Sequence, residues 1–188
     1  MSLFIAVRPD DAACEDLQHE LERVRRLPAG GALQWQAPSR WHVTLAFLGD
    51  PSDSAEQRVA EAVHPLGSHA AIPELRLSGA GCFGRQVLWI GLERGAALDA
   101  LTSLVEVIPR LVRGSGVNLD RRAWRAHLTV ARARQGDARA AAGALADYRG
   151  PRWTAAEALL IRSTGGPQPA HHVVHRVPLT SVRTVPPR

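Results

Sequence analysis

The 188-residue sequence has little of what marks metal-binding, secreted or membrane proteins. It contains two cysteines, Cys14 and Cys82, but no CxxC motif and no Cys/His ligand spacing, which argues against a structural zinc site. No segment approaches the roughly 20 apolar residues of a membrane-spanning helix. The N-terminal residues lack the basic region and small-residue cleavage site of a secretory signal. We therefore expect a cytoplasmic protein with two reduced thiols and no metal, cofactor or membrane partner.

The sequence also lacks lysine, so its 23 basic side chains are all arginines. They give a formal net charge of +5 and a pI near 10.7. Arginine binds phosphate through two parallel hydrogen bonds, so this composition favours a nucleic-acid or phosphorylated partner without defining the chemistry. Apolar residues make up 45% of the chain, which is enough for a packed interior and argues against disorder.

The hydrophobic pattern predicts strands and helices in the order β α β α β β α β α β β. Apolar segments predict strands at 3–7, 41–48, 74–81, 86–93, 126–132, 156–163 and 173–179. Residues 79–86 are expected to form a glycine-rich loop between two of them. Helices are predicted from Pro9 to residue 26, at 53–63 with Asp53 or Ser54 as the cap, at 98–111, and at 137–148. Residues 184–188 are expected to form a frayed tail.

Adjacent strands without intervening helices indicate an α+β fold built mostly of antiparallel sheet. No Pro/Gly/Ser linker divides the chain and no solenoid repeat is present. The sequence therefore predicts a single domain over residues 1–188, made of two closely packed lobes.

One short pattern occurs twice in the chain. The segments WHVTLAFLG, at 41–49, and AHLTVAR, at 126–132, both contain His, an apolar residue, Thr, an apolar residue and Ala. Residues i and i+2 of a strand project to the same face, so His42 lies beside Thr44 and His127 beside Thr129. If two lobes face each other across a cleft, these four side chains converge there.

Two histidines and two threonines suit the cleavage of a phosphodiester. In-line displacement needs a base for the attacking oxygen and an acid for the leaving oxygen on the opposite side. Two imidazoles can supply these roles near neutral pH, and threonine hydroxyls can donate hydrogen bonds to the phosphate oxygens. This chemistry requires no metal.

At these residues the sequence resembles the two-histidine (2H) phosphoesterase superfamily, and within it the RNA 2′,3′-cyclic phosphodiesterases, also called 2′-5′ RNA ligases. The segments LFIAVRP, WHVTLAFLG, GAGCFGRQVLWIGLE, HLTVAR, WTAAEALLIRS and VPL carry the resemblance over most of the chain. It implies a bilobal α+β fold, with two antiparallel sheet and helix lobes related by a pseudo-two-fold axis around a central cleft. It also implies hydrolysis of a terminal 2′,3′-cyclic phosphate to a 2′-phosphomonoester.

The resemblance also implies a role for each matching residue. His42 would protonate the 3′ leaving oxygen and His127 would activate water. Thr44 and Thr129 would hold the phosphate, and Arg132, which follows the second motif, would also contact it.

Two residues of the predicted glycine-rich loop are candidates for substrate binding. Phe83 matches the loop phenylalanine of the family and is a candidate for stacking on the terminal base. Arg85 lies in the same loop and could reach the cleft. The basic segment RRAWR, at 121–125, either follows an RNA backbone or forms a solvated loop.

The sequence departs from the family pattern near its C-terminus, where PAHHVVH has histidine in a region in which tyrosine is common. No carboxylate or cysteine stands at ligand spacing from His171, His172 and His175, so an exposed or partly packed histidine cluster is favoured over a metal site. The departure bears on substrate preference more than on the chemistry.

The substrate predicted from the sequence is RNA or a nucleotide bearing a 2′,3′-cyclic phosphate, bound by a monomer. One alternative is a cyclic phosphodiesterase for small molecules, such as an ADP-ribose cyclic phosphate or a cyclic nucleotide. Another is a nucleotide-binding or RNA-binding module that has lost catalysis, although both motifs are intact. Weak RNA ligation could accompany hydrolysis at the same site.

Overall fold

The computed structural model describes residues 1–69, 71–120, 122–134, 136–165 and 170–182. The strands are β1 (Ser2–Val7), β2 (Leu33–Trp35), β3 (Val43–Phe47), β4 (Ile72–Pro73), β5 (Leu75–Phe83), β6 (Val87–Leu92), β7 (Leu128–Ala133), β8 (Arg149–Trp153), β9 (Glu157–Ser163), β10 (His171–Pro178) and β11 (Ser181–Val182). The helices are α1 (Asp11–Arg25), α2 (Asp53–Ala62), α3 (Leu66–His69), α4 (Ala96–Leu111) and α5 (Arg139–Ala144). The predicted frayed tail at 184–188 lies outside the described residues.

Nine strands form one sheet with the order β10-β9-β1-β3-β7-β6-β5-β8, and β2 pairs with β7 beside this path. The order is symmetric about the junction of β3 and β7. β1 and β6 are the next strands outward, followed by β9 and β5, and then by β10 and β8. The first lobe combines β1 and β3 with β9 and β10 from the second half of the chain, and the second lobe combines β7 and β8 with β5 and β6 from the first half. This arrangement confirms the predicted α+β fold with two antiparallel lobes, and the comparisons below support it.

The two lobes meet at a narrow backbone contact. Among the described residues, β3 and β7 pair at Val43 and Leu128 alone, both of which are buried in the core. Beyond this pair the strands diverge, so the lobes separate on either side of the junction. The divergence creates room for cavities between the lobes.

The start of α1 follows directly from its sequence. Asp10 caps the helix by accepting a hydrogen bond from the Ala13 amide at 2.9 Å. The predicted apolar face of the helix, formed by Ala13, Leu17, Leu21 and Val24, is buried in the main core. This packing attaches α1 to the sheet on the face opposite the cleft.

The glycine-rich segment is mainly strand rather than loop, because β5 continues to Phe83. Gly81 allows this, since a Cβ at that position would lie 2.3 Å from Cζ2 of Trp89 on the neighbouring strand. Gly79, with φ of 65°, lies where the register between β5 and β6 shifts. The absence of a side chain at Gly81 leaves room for the Trp89 ring on the neighbouring strand.

Other helix boundaries also differ from the prediction. Ser52, rather than Asp53 or Ser54, caps α2 by accepting from the Ala55 amide at 3.3 Å. α5 covers only Arg139–Ala144, because the chain turns after Leu145 to form the unpredicted strand β8.

The thiols of Cys14 and Cys82 are free and half-buried. Burial raises the pKa of Cys14 to about 11 and raises that of Cys82 as well, so both thiols are protonated at neutral pH. In the described part of the chain, no helix is both long and apolar enough to cross a membrane.

Candidate active site

The two His-x-Thr motifs lie next to each other at the junction of the lobes. His42 and His127 each stand one residue before their strand, β3 or β7. Because paired antiparallel strands run in opposite directions, the Val43–Leu128 pair sets His42 opposite Thr129, and Thr44 opposite His127. All four side chains line one cavity of about 200 Å³. The structure thus brings together the four residues that the sequence predicted to converge.

Both histidines are held in the same way. Nδ1 of His42 lies 2.7 Å from the carbonyl oxygen of Arg40, and Nδ1 of His127 lies 2.7 Å from that of Arg125. A carbonyl oxygen only accepts, so each Nδ1 carries the proton. In the neutral ring, Nε2 therefore has the free lone pair. Each imidazole can accept or return a proton at Nε2 without changing its anchoring bond.

A phenylalanine supports each histidine from the side. The ring of Phe4, on β1, stacks on His42 with a centroid distance of 4.9 Å and an angle of 28°. The ring of Phe83, at the end of β5, meets His127 edge-on at 4.7 Å and 90°. These contacts fix the rotamers of the histidines and withdraw their faces from water.

The cavity of about 200 Å³ between the motifs, called the smaller cavity below, has the charge pattern of an anion site. Arg40 and Arg132 line it together with the two motifs. No aspartate or glutamate of the described residues lines this cavity. The site therefore attracts a negatively charged ligand and offers hydrogen-bond donors on several sides.

Burial and positive neighbours disfavour the charged form of both histidines. Burial lowers the pKa of His42 from 6.5 to about 4, and the neighbouring His171 and Arg8 act in the same direction. Burial also lowers the pKa of His127, with Arg125 and Arg132 adding to the effect. Hydrogen bonds to the carbonyls oppose these shifts without cancelling them. Without a bound anion, both imidazoles are neutral at pH 7.

A larger groove of about 890 Å³ adjoins the small cavity and shares Thr44, Phe47 and His127 with it. It lies where β3 has diverged from the segment that precedes β7. The end of α4 contributes apolar side chains to its wall, Val105, Pro109 and Val112.

Arginines, aromatic rings and two carboxylates line much of the rest of the groove. Arg113, Arg122, Arg125 and Phe83 are among its lining residues, as are Glu106 and Asp120, and Asp120 pairs with Arg122. The Arg125 guanidinium lies 5.8 Å from the ring centroid of Phe83. Such a mixture of apolar, aromatic and cationic groups suits a nucleoside and its phosphates.

The remaining predicted site residues have different positions. Arg132 lines the small cavity, as the sequence predicted, and Phe83 lines the larger groove. Arg85 lies outside both cavities. Its exposed guanidinium pairs with Asp137, with 3.2 Å between Nε and Oδ2, because the turn after β5 directs it toward that carboxylate. Arg121, the first residue of the basic segment, lies outside the described residues.

Several residues of the site were not singled out in the sequence. Phe47, with 43% of its surface exposed, lines both cavities. Arg40 lines the smaller cavity, whereas Arg125, which the sequence had identified only as part of the basic segment RRAWR, lines the larger. The signal for these two was present, because an arginine stands two residues before each motif histidine. No comparable signal exists for Phe4, which reaches the site only through the pairing of β1 with β3.

The described residues contain no group of three or more His, Cys, Asp or Glu side chains arranged to hold a metal ion. The histidines near the C-terminus are divided between two places. His171 lies at the cavity, whereas His175 stacks on His64 at 5.0 Å and His172 is exposed.

Comparison with known proteins assigns the chain to a family. The family model of the 2′-5′ RNA ligase superfamily matches residues 9–167. The chain belongs to that superfamily, which confirms the resemblance seen in the sequence.

Individual relatives agree with this assignment. An RNA 2′,3′-cyclic phosphodiesterase of Geobacillus stearothermophilus is 35% identical over 109 residues, which are 55% of this chain and 33% of the relative. A protein of the same name from Archaeoglobus fulgidus is 29% identical over 142 residues, which are 72% of this chain and 74% of the relative. The match thus spans a third of the first relative and about three quarters of the second.

A solved structure shares the fold. The crystal structure of TT0787 of Thermus thermophilus matches with a TM-score of 0.77 and 22% identity. The match covers 96% of this chain and 99% of that one. The bilobal architecture therefore extends over nearly the whole chain.

Proposed function

We propose that this protein hydrolyses the terminal 2′,3′-cyclic phosphate of RNA to a 2′-phosphomonoester without a metal ion. The observation that carries this proposal is the convergence of two carbonyl-anchored histidines and two threonines around one cavity that no described carboxylate lines. The names of the curated relatives supply the substrate class. The arrangement itself supports in-line displacement at phosphorus.

In this reaction His127 accepts a proton from water at Nε2 while the water oxygen forms a bond to phosphorus. The bond between phosphorus and the 3′ oxygen breaks on the opposite side. His42 donates its Nε2 proton to that oxygen, which leaves as the 3′ hydroxyl. The proton gained by His127 balances the one lost by His42, and no oxidant or cofactor is consumed. The near-symmetric site fits this division of roles, and the family resemblance decides which histidine is the acid.

The phosphate itself helps to prepare the acid. Without a bound anion, His42 is neutral at pH 7 because burial lowers its pKa to about 4. An anion beside it stabilises the imidazolium and so raises this pKa. Substrate binding is therefore accompanied by proton uptake, which loads His42 for protonation of the leaving group. Thr44, Thr129 and Arg132 would donate to the non-bridging oxygens, where negative charge increases in the transition state.

The adjoining groove favours an RNA end over a free cyclic nucleotide. The smaller cavity, of about 200 Å³, holds little more than a phosphate and part of a ribose. The groove of about 890 Å³ continues from it past Phe47 and Phe83, with unpaired Arg113 and Arg125 among its described residues. It offers room and positive charge for the nucleotides that precede a cyclic end.

The decisive experiment uses an oligoribonucleotide ending in a 2′,3′-cyclic phosphate, incubated with the protein in EDTA. We expect a 2′-phosphate product from the wild type. His42→Ala and His127→Ala should each lower kcat by about 10²–10⁴-fold, the usual contribution of a positioned acid or base. His19→Ala removes an exposed histidine of α1 and serves as the matched control.

Two results would contradict the proposal. Full activity in either site variant would exclude the two-histidine mechanism, and a product with a 3′-phosphate would exclude the predicted bond cleavage. The rival substrate is a 2′,3′-cyclic mononucleotide, whose single nucleoside needs only the part of the groove next to the smaller cavity. This rival would be favoured if the mononucleotide and the oligonucleotide had equal kcat/KM, and if kcat/KM depended weakly on salt for both substrates.

A further inference from the structure

A third histidine lines the smaller cavity beside the two motif histidines. His171 is the first residue of β10 and pairs with Ser163 of β9, and both residues line the cavity. β9 in turn pairs with β1, so these two residues approach the site from the side of His42. Their position is separate from both His-x-Thr motifs.

The ring of His171 is fixed by its neighbours. It meets His42 edge-on, with 5.2 Å between centroids and an angle of 71°, and meets Phe4 edge-on at 5.4 Å and 75°. Phe4 belongs to a small apolar cluster on this face of the sheet, against which Val173 also packs. The imidazole of His171 is therefore part of a packed wall rather than a freely moving surface side chain.

The hydrogen bonding of His171 differs from that of the motif histidines. Its Nδ1 is buried and has no hydrogen-bond partner among the described residues. By contrast, the Nδ1 atoms of His42 and His127 each donate to a carbonyl. A buried N–H without an acceptor loses its bond to water and gains nothing in return. The neutral ring of His171 therefore favours the tautomer that carries its proton on Nε2.

The charges around His171 also keep it neutral. Burial lowers its pKa, and the positive charges of Arg40 and Arg8 lower it further. No described carboxylate lines the cavity, so none is placed there to stabilise the charged form of His171. At neutral pH, His171 thus presents an uncharged N–H donor to a cavity that attracts anions.

We propose that His171 is a substrate-binding residue that donates a hydrogen bond from Nε2 to a non-bridging oxygen of the phosphate. It contacts the phosphate from the side of β9 and β10. This inference rests on the proposed phosphodiesterase function. It assigns to the site a phosphate-binding residue that lies outside both His-x-Thr motifs.

The test separates the nitrogen from the ring that carries it. His171→Phe keeps an aromatic ring against Phe4 and His42 but removes the donor. His171→Gln places an amide N–H near the position of Nε2, whereas His171→Asn places one near Nδ1. His172→Phe is the matched control, because His172 is the next residue of the same strand and is exposed.

The measurements are the Kd for inorganic phosphate and the kcat and KM for an oligoribonucleotide ending in a 2′,3′-cyclic phosphate. Hydrogen bonds to charged groups contribute about 1.5–3 kcal/mol, so His171→Phe should raise Kd and KM by about 10–150-fold. The Tm should remain close to that of the wild type, because the packing is kept. His171→Gln should recover most of the loss, whereas His171→Asn should not, and His172→Phe should behave as the wild type.

The possible failures are distinct. If the wild type does not turn over the cyclic phosphate, the proposed function is wrong. If the wild type is active and His171→Phe binds phosphate and substrate equally well, the role of His171 is wrong. If Asn restores binding and Gln does not, the donor is Nδ1 and the proposed tautomer is overturned.

Discussion

The ionisation of His42 should make the stability of the fold depend on pH. This imidazole is buried beside Phe4, and burial lowers its pKa from 6.5 to about 4. Between these two values, the unfolded chain binds a proton at this residue and the folded protein does not. Because the unfolded state then binds more protons, the free energy of unfolding rises with pH in this window. The stability is fully present above about pH 6.5 and falls as the pH drops toward 4.

The two pKa values give the size of the effect. A shift of one unit is worth about 1.4 kcal/mol, so the limiting loss below pH 4 is about 3 kcal/mol. At pH 5, protonation of His42 in the unfolded state has already lowered the free energy of unfolding by about 2 kcal/mol relative to pH 7. This is a large share of the 5–15 kcal/mol that typically stabilises a domain.

Urea unfolding of the wild type and of His42→Gln at pH 5 and pH 7 measures this term. Other titrating groups are common to both proteins, so the difference between their pH dependences isolates His42. We expect the wild type to lose about 2 kcal/mol more than the variant between pH 7 and pH 5. His19→Gln, which changes an exposed histidine, should lose as much as the wild type.

Inorganic phosphate provides a second check on the same reasoning. An anion in the cavity raises the pKa of His42 and binds only the folded state, so it should reduce the extra loss at pH 5. An equal pH dependence in the wild type and His42→Gln would show that His42 titrates normally in the folded protein. It would thereby refute both the pKa shift and the inference that substrate binding loads this residue with a proton.

Two further predictions concern the groove and the sheet. Arg113→Ala should raise the KM for an oligonucleotide with a cyclic phosphate end several-fold and lower the salt dependence of that KM. It should leave the KM for a cyclic mononucleotide unchanged, because Arg113 lines the groove but not the smaller cavity. Arg110→Ala, on the exposed side of α4, should change neither substrate; an equal effect of both variants would mean that only net charge matters. Gly81→Ala should cost about 1–3 kcal/mol in urea unfolding, because its Cβ would overlap Trp89. Gly143→Ala has open space and should be neutral or slightly stabilising; if Gly81→Ala behaved likewise, Trp89 would have an alternative packing.

Local patterns were sufficient to predict the long elements. The apolar spacing of α1 identified its buried face, and alternation identified the two strands that carry the His-x-Thr motifs. Short elements were missed, because β2 and β8 have three and five residues and no clear alternation. Their formation depends on pairing with β7 and β5, which a local pattern does not record.

The C-terminal histidines show the limit of sequence reasoning most clearly. His171, His172 and His175 stand in one short segment and have similar local contexts. Strand pairing directs His171 to the cavity, leaves His172 exposed and brings His175 against His64. Only the position of β10 in the sheet separates these outcomes.

The sequence by itself determined the chemical groups of the site and their local orientation. A period of two residues in a strand puts His42 beside Thr44 and His127 beside Thr129, whatever the rest of the fold. The tertiary structure decided what those groups meet. The antiparallel pair Val43–Leu128 joins the two motifs, and burial lowers the pKa values of both histidines. These are contacts between segments far apart in the chain or effects of surrounding atoms, and only folding creates them.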